Sequence, residues 1–197
     1  GSYDNEAGNL IRNSLTKLNN SEYADSLYHR VLNSTGMSEH SKSRLLFEYA
    51  VYKFPSDIEV AYKTLKLLRT MSLESNIREE TDFWVAKYYG KKGNSQRAAD
   101  IFKGIADSHS DRTGAESQLE YAKILDNLGE NEKAAQAYLS LTYVFKGYKD
   151  LVSEALYRAL TIYRSAGNTK QADILVRKLN SDYPESKWAE KLKENGN

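Results

Sequence analysis

The fold class this sequence predicts is all-α: a right-handed α-solenoid of about five stacked helical hairpins, closed by a capping helix. Three observations carry that expectation. First, a short pattern recurs. Ala98, Ile101, Phe102 and Ile105 stand at offsets of 0, 3, 4 and 7, and Ala134, Ala137, Tyr138, Leu141 and then Ala172, Leu175, Val176, Leu179 repeat them. Looser copies start at Ala24 (with Leu27, Tyr28, Val31) and Ala61 (with Thr64, Leu65, Leu68). Second, the leading Ala residues lie 37, 37, 36 and 38 positions apart, a period that holds two helices and two short turns. Third, only Pro55 and Pro184 interrupt the chain, which suits helix almost throughout.

The pattern has a physical reading. A glycine five residues before the leading Ala, at Gly93, Gly129 and Gly167, lets the chain turn where the first helix of a hairpin stops. The small Ala lets two helix axes approach, and a bulky residue nine positions earlier packs across the gap. That residue is Leu15, Tyr52, Tyr89, Leu125 or Tyr163. Each hairpin alone leaves an apolar face open, so stability accrues by stacking neighbours.

In chain order, Asn5–Leu18 puts Leu10, Ile11, Leu15 and Leu18 at helical spacing, and Asn19-Asn20 breaks it. Ser21 is placed to cap the next helix, which Asn33-Ser34-Thr35-Gly36 ends. Ser41–Phe54 follows, with Leu45, Leu46, Tyr49 and Tyr52 on its apolar positions. The remaining units are expected over 79–111, 115–148 and 153–186, after 5–37 and 42–74. A cap is expected over 187–194 through Trp188 and Leu192. Phe54-Pro55-Ser56-Asp57 resembles Tyr183-Pro184-Glu185-Ser186, the junction between units. Two pairings therefore stay open near the N-terminus, with the helix after Pro55 either second in its hairpin or first. The whole chain is expected to form one superhelical domain, and Gly1-Ser2 is read as a tag remnant.

These residues resemble the tetratricopeptide repeat (TPR) family. The match is best in 153–186, through Leu156, Tyr163, Gly167, Ala172, Leu179 and Pro184. It continues through Tyr89, Gly93, Ala98 and Phe102, and through Gly129, Ala134 and Tyr138. The small residue inside the first helix is kept at Ala86 and Ala122. The period exceeds the family's 34 or so by a few residues, and the closing Pro occurs only in the last unit. The Tyr-Pro-x-Ser junction is similar to repeats of bacterial envelope proteins, namely the outer-membrane assembly lipoprotein and the Tol–Pal-associated coordinator. That likeness implies a periplasmic or cell-envelope location, with a cytoplasmic one as the alternative.

Composition narrows the functional classes. Lys and Arg number 28 against 27 Asp and Glu, so the basic excess of a nucleic-acid binder is missing. There is no Cys, which excludes disulfides, thiolate nucleophiles and Cys-based metal sites. No run of about 18 apolar residues could span a bilayer, although a lipid anchor upstream of this sequence is compatible with it. His29, His40 and His109 lack the spacing of a metal site. Gly90-Lys91-Lys92-Gly93 follows no strand and is read as a helix end, and the segment around Gly129 lacks the register of a calcium loop. The 15 Tyr residues have core explanations at the repeat's own spacing. No cofactor, metal or catalytic residue is expected.

The resemblance implies a concave surface lined by first helices. Its outward positions fall on Glu80, Phe83, Lys87 and Gly90, then Glu116, Leu119, Lys123 and Asp126, then Glu154, Tyr157, Thr161 and Arg164. Apolar anchors mixed with both charge signs suit a peptide or partner protein. The two-lysine carboxylate clamp of chaperone-binding members is not evident. The expected function is a non-enzymatic protein-interaction scaffold, with no nucleic-acid partner. The alternative is the helical accessory domain of a cell-wall lytic enzyme whose catalytic domain lies outside this sequence.

Overall fold

A computed structural model describes residues 21–194 and shows ten α-helices and no strand among them. The helix expected over Asn5–Leu18, with Leu15, lies outside the described residues. The chain divides into two compact units, Gly1–Lys92 and Gly93–Asn197.

In the first unit, α1 (Ser21–Leu32) buries Ala24 and Val31. α2 (Glu39–Lys53) starts two residues before the sequence predicted, because the Ser38 side chain accepts the Ser41 N–H at 3.2 Å and supplies the cap. Phe54 ends it, 4% exposed, and the turn over Pro55 leads to Asp57, which caps α3 (Ile58–Leu68) through the Val60 N–H at 3.0 Å. α3 lies chiefly along α2 and touches α4 (Ser75–Lys91) less. Ala24 with Tyr49 and Phe54 with Ala61 and Tyr88 are packing centres here, where Tyr62 and Tyr88 stack with centroids 3.7 Å apart.

The second unit runs through α5 (Ser95–Ser108), α6 (Arg112–Asn127), α7 (Asn131–Val144), α8 (Lys149–Ser165), α9 (Thr169–Asp182) and α10 (Lys187–Glu194). Consecutive helices pack on one another, and α8 also touches α6 and α10, so alternate helices meet along a second direction. Asn94, Asp111 and Asn168 cap α5, α6 and α9 with side-chain oxygens. The turn glycines have φ of +80° at Gly93, +76° at Gly129 and +71° at Gly167, the left-handed conformation their spacing predicts.

At Gly129 and Gly167 the turn is a Schellman motif. The Glu130 N–H reaches the Leu125 carbonyl at 2.9 Å, and the Asn168 N–H reaches the Tyr163 carbonyl at 2.8 Å. At these two turns the bulky residue nine positions before the leading Ala is thus the residue whose carbonyl closes the turn, which ties two marks of the repeat to one hydrogen bond. The leading Ala98, Ala134 and Ala172 are at most 1% exposed. Leu119, Leu125, Tyr138, Leu141, Leu156, Leu160, Leu179 and Leu192 belong to one core cluster that extends from α6 to α10. Removing any one of these leucine side chains would cost about 2–5 kcal/mol.

Candidate functional site

The predicted partner-binding positions separate into distinct environments. On α4, Glu80 faces Arg44 at 3.9 Å, Phe83 is 9% exposed, and the Lys87 ammonium sits 5.3 Å from the Phe83 ring and 5.6 Å from Trp84. On α6, Glu116 accepts from Arg112 at 2.8 Å, Leu119 is 3% exposed, and Lys123 pairs with Glu120 at 3.2 Å. Thr161 and Arg164 on α8 are exposed, as is Gly90. The expectation that Phe83 and Leu119 face outward is corrected: both side chains point into packed interior. Neighbouring first helices approach closely enough to fill that register position with core.

Four of the remaining positions come together. Lys123 of α6 meets Glu154 of α8 at 3.1 Å, and Asp126 and Tyr157 line one cleft of about 250 Å³. Its other walls are Asn131 of α7, Arg158, Thr161, Ile162 and Ser165 of α8, and Trp188 and Lys191 of α10. Helical spacing assembles it: Tyr157, Thr161 and Ser165 follow at i, i+4 and i+8 on α8, and Trp188 and Lys191 at i and i+3 on α10. The Tyr157 and Trp188 rings lie 5.1 Å apart at 35°.

Beneath the cleft runs a polar network. Glu154 accepts from Arg158 at 2.9 Å as well as from Lys123. Burial works against its ionisation, but the two cations outweigh burial and hold its carboxyl below the ordinary glutamate value. The Tyr138 side chain is fully buried and its hydroxyl donates to Asp126 at 3.3 Å. Burial first, and then the Asp126 charge, push that phenol well above its usual range against the opposing pull of Arg158. Asp126 stands in the last turn of α6, where the helix dipole disfavours a carboxylate and no basic residue offsets it.

Reading the first helices at i, i+3 and i+7 passed over Arg158, Trp188 and Lys191. Arg158 is one residue off the chosen stripe. Lys191 carried a usable signal, since 191 − 154 = 37 places it one period after Glu154. Among the described residues, no group of three or more His, Cys, Asp or Glu is placed to hold a metal ion. No described helix is long and apolar enough to cross a membrane.

The arrangement matches solved helical-repeat structures over most of its length. One is YrrB, described as a TPR protein with an unusual peptide-binding site; it is 16% identical, with 93% of this chain and 88% of that chain covered and a TM-score of 0.62. Another is a putative kinesin light chain from Podosopora anserina with nearly identical TPR-like repeats. It is 17% identical over 90% of this chain and 93% of that one, with a TM-score of 0.67, and a substituted form of the same protein matches equally well. The fold is TPR-like. No protein-family model matches the sequence, and no curated protein is significantly similar to it. In the TPR-like frame, α6, α8 and α10 are alternate helices of the stack, and the cleft draws most of its lining from that row.

Proposed function

We propose that this chain is a non-enzymatic protein-interaction scaffold that holds a peptide, or an exposed segment of a partner protein, in the cleft shared by α6, α8 and α10. One observation carries the reading. The row of alternate helices in a TPR-like fold bears an aromatic-walled cleft with both charge signs, Tyr157 and Trp188 beside Asp126, Arg158 and Lys191. Paired aromatic and Arg side chains in a concave site are the usual anchors of protein recognition. The peptide-binding site ascribed to YrrB gives the same fold a precedent.

Action in the cell envelope is part of this proposal and is supported by the likeness of the Tyr183-Pro184-Glu185-Ser186 junction to envelope repeats. The test is crosslinking in the native cell followed by pull-down, with wild type beside Tyr157→Ala. Loss of one specific partner in the variant, at unchanged melting temperature, is the expected result. A partner retained undiminished would remove the cleft from the binding surface. Recovery of the protein in the cytosolic fraction alone would remove the envelope assignment.

A further inference from the structure

We propose that the cleft at the α8–α10 end selects an anionic segment: a peptide that offers an Asp or Glu side chain beside an apolar one. The proposal rests on the peptide-binding reading above and adds the sign of the partner's charge. Its first ground is how the aromatic faces are used. Around the Trp188 ring stand Lys187 at 5.0 Å, Lys191 at 5.4 Å and Arg158 at 5.8 Å, and Lys191 also lies 5.3 Å from the Tyr157 ring. Cations already occupy the negative faces of both rings, so the pair cannot serve as a cage for a cationic guest. The rings instead hold the cations in place at the mouth.

The second ground is the charge balance. Lys187 and Lys191 are exposed and form no ion pair among the described residues. Of the carboxylates nearby, Glu154 is paired with Lys123 and Arg158 and Glu120 with Lys123, while Asp126 accepts from the neutral Tyr138 hydroxyl and keeps its charge in the cleft wall, one carboxylate against the two lysines. Lys191 lines the cleft; Lys187, like Glu190 and Glu194 on the same helix, does not, and stands beside it over the Trp188 ring. An incoming carboxylate therefore meets three cations around the Trp188 ring, of which only Arg158 already has an acidic partner.

The repeat itself shows the switch. Glu80, Glu116 and Glu154 recur at intervals of 36 and 38, and the next equivalent position, 37 residues on, is Lys191. One register that is acidic three times turns basic at α10. In addition, the Trp188 indole N–H is buried and has no acceptor among the described residues. Closed to solvent, that N–H is a cost of placing a Trp in the cleft wall. Tyr157 and Ile162 supply the apolar wall for the neighbouring side chain.

The experiment uses the full chain and fluorescence anisotropy of labelled, N-acetylated, C-amidated peptides of Leu, Phe, Ser and Gly. Three versions carry Glu, Gln or Lys at the same three positions, and a fourth carries Gln with a free C-terminal carboxylate. At low salt the Glu peptide is expected to bind about tenfold tighter than the Gln peptide, and the Lys peptide weakest. Lys187→Gln with Lys191→Gln should remove the Glu preference without moving the melting temperature, because both residues are exposed. Equal binding by the three blocked peptides, each weakened by Tyr157→Ala, would overturn the anionic selection while leaving the peptide cleft standing. Tightest binding by the Lys peptide, a preference that survives the double lysine variant, or a preference shown only by the free C-terminus would each overturn it too. No binding by the Glu peptide, with the native crosslinked partner insensitive to Tyr157→Ala, would overturn both readings together.

Discussion

Gly114 and Gly104 both sit inside helices of the second unit, and the structure assigns opposite signs to replacing them with Ala. At Gly114, in the first turn of α6, an added Cβ would overlap the backbone carbonyl oxygen of His109 and stand 2.8 Å from its carbon. The oxygen would lie only 2.1 Å from that Cβ, where a carbon–oxygen contact ordinarily keeps about 3.3 Å, so the loop from α5 or the first turn of α6 must yield by about 1 Å. Both atoms are backbone, and the same turn carries the cap from Asp111 to the Gly114 N–H at 3.0 Å. Overpacking costs about 1–3 kcal/mol and a weakened cap about 0.5–2 kcal/mol. Higher helix propensity returns about 1 kcal/mol. The net is a loss of about 1–3 kcal/mol, or roughly 3–10 °C in a chain of this size. A Cβ at Gly104, in α5, meets nothing within 4 Å, so Gly104→Ala should gain about 0.5–1 kcal/mol. Thermal unfolding followed by circular dichroism reads both. A Gly114→Ala protein that melts at or above wild type would refute the close approach of α6 to the His109 carbonyl.

Three further outcomes follow from the packing and the ion pairs. Leu119→Ala should cost about 2–4 kcal/mol in urea titrations, whereas Arg164→Ala, on the exposed face of α8, should stay within about 0.5 kcal/mol. Glu154→Gln leaves Lys123 and Arg158 without their shared carboxylate and should destabilise by about 1–3 kcal/mol at neutral pH. Because the Glu154 pKa is lowered by folding, its contribution is complete above the unfolded value near 4.3. It is lost as pH falls through the folded value, so wild type and variant should converge in acid. Carboxyl NMR of Glu154 should give a midpoint below that unfolded value, and a midpoint above it would contradict the pairing. Asp25 joins the Lys53 ammonium at 2.7 Å and the Tyr49 hydroxyl at 2.6 Å, and Asp25→Ala would strand a lysine whose side chain is only 8% exposed. With Asp25 itself 44% exposed, solvent moderates the loss to about 1–2 kcal/mol.

What the sequence discloses here is what one residue can encode alone. A glycine with positive φ and an Ala at a close approach each answer a local constraint, so Gly129 and Ala134 read correctly from spacing. Gly114 does not read that way. Its partner is a carbonyl in the preceding loop, and no period marks the contact. The outward face reads only in part for a related reason. Asp126 and Tyr157 line the cleft and Lys123 joins the ion-pair network beneath it, while Leu119 belongs to the core cluster and Phe83 is likewise packed in. All five occupy the register that the TPR resemblance assigns to the open surface. Which of them stays open depends on how closely successive first helices approach, and that distance is fixed by whole layers of side chains.

α10 shows why a covering helix and a site can be one element. A terminal helix in a repeat protein must present a polar outer face and cover the last apolar surface. α10 does this with Ala189 and Leu192 buried against the core and Lys187, Lys191 and Lys193 exposed. Coverage alone does not require an aromatic residue at position 188. Trp188 spreads over Tyr157, leaves its N–H without an acceptor among the described residues and draws Arg158, Lys187 and Lys191 around its ring. A leucine there would cover the same surface without stranding a polar group. The cost of burying that N–H, about 1–3 kcal/mol, is the physical reason to assign Trp188 to binding as well as to closure. Trp188→Leu should accordingly melt no lower than wild type yet lose affinity for the Glu peptide. A variant that unfolds early with affinity intact would place Trp188 in the cap alone.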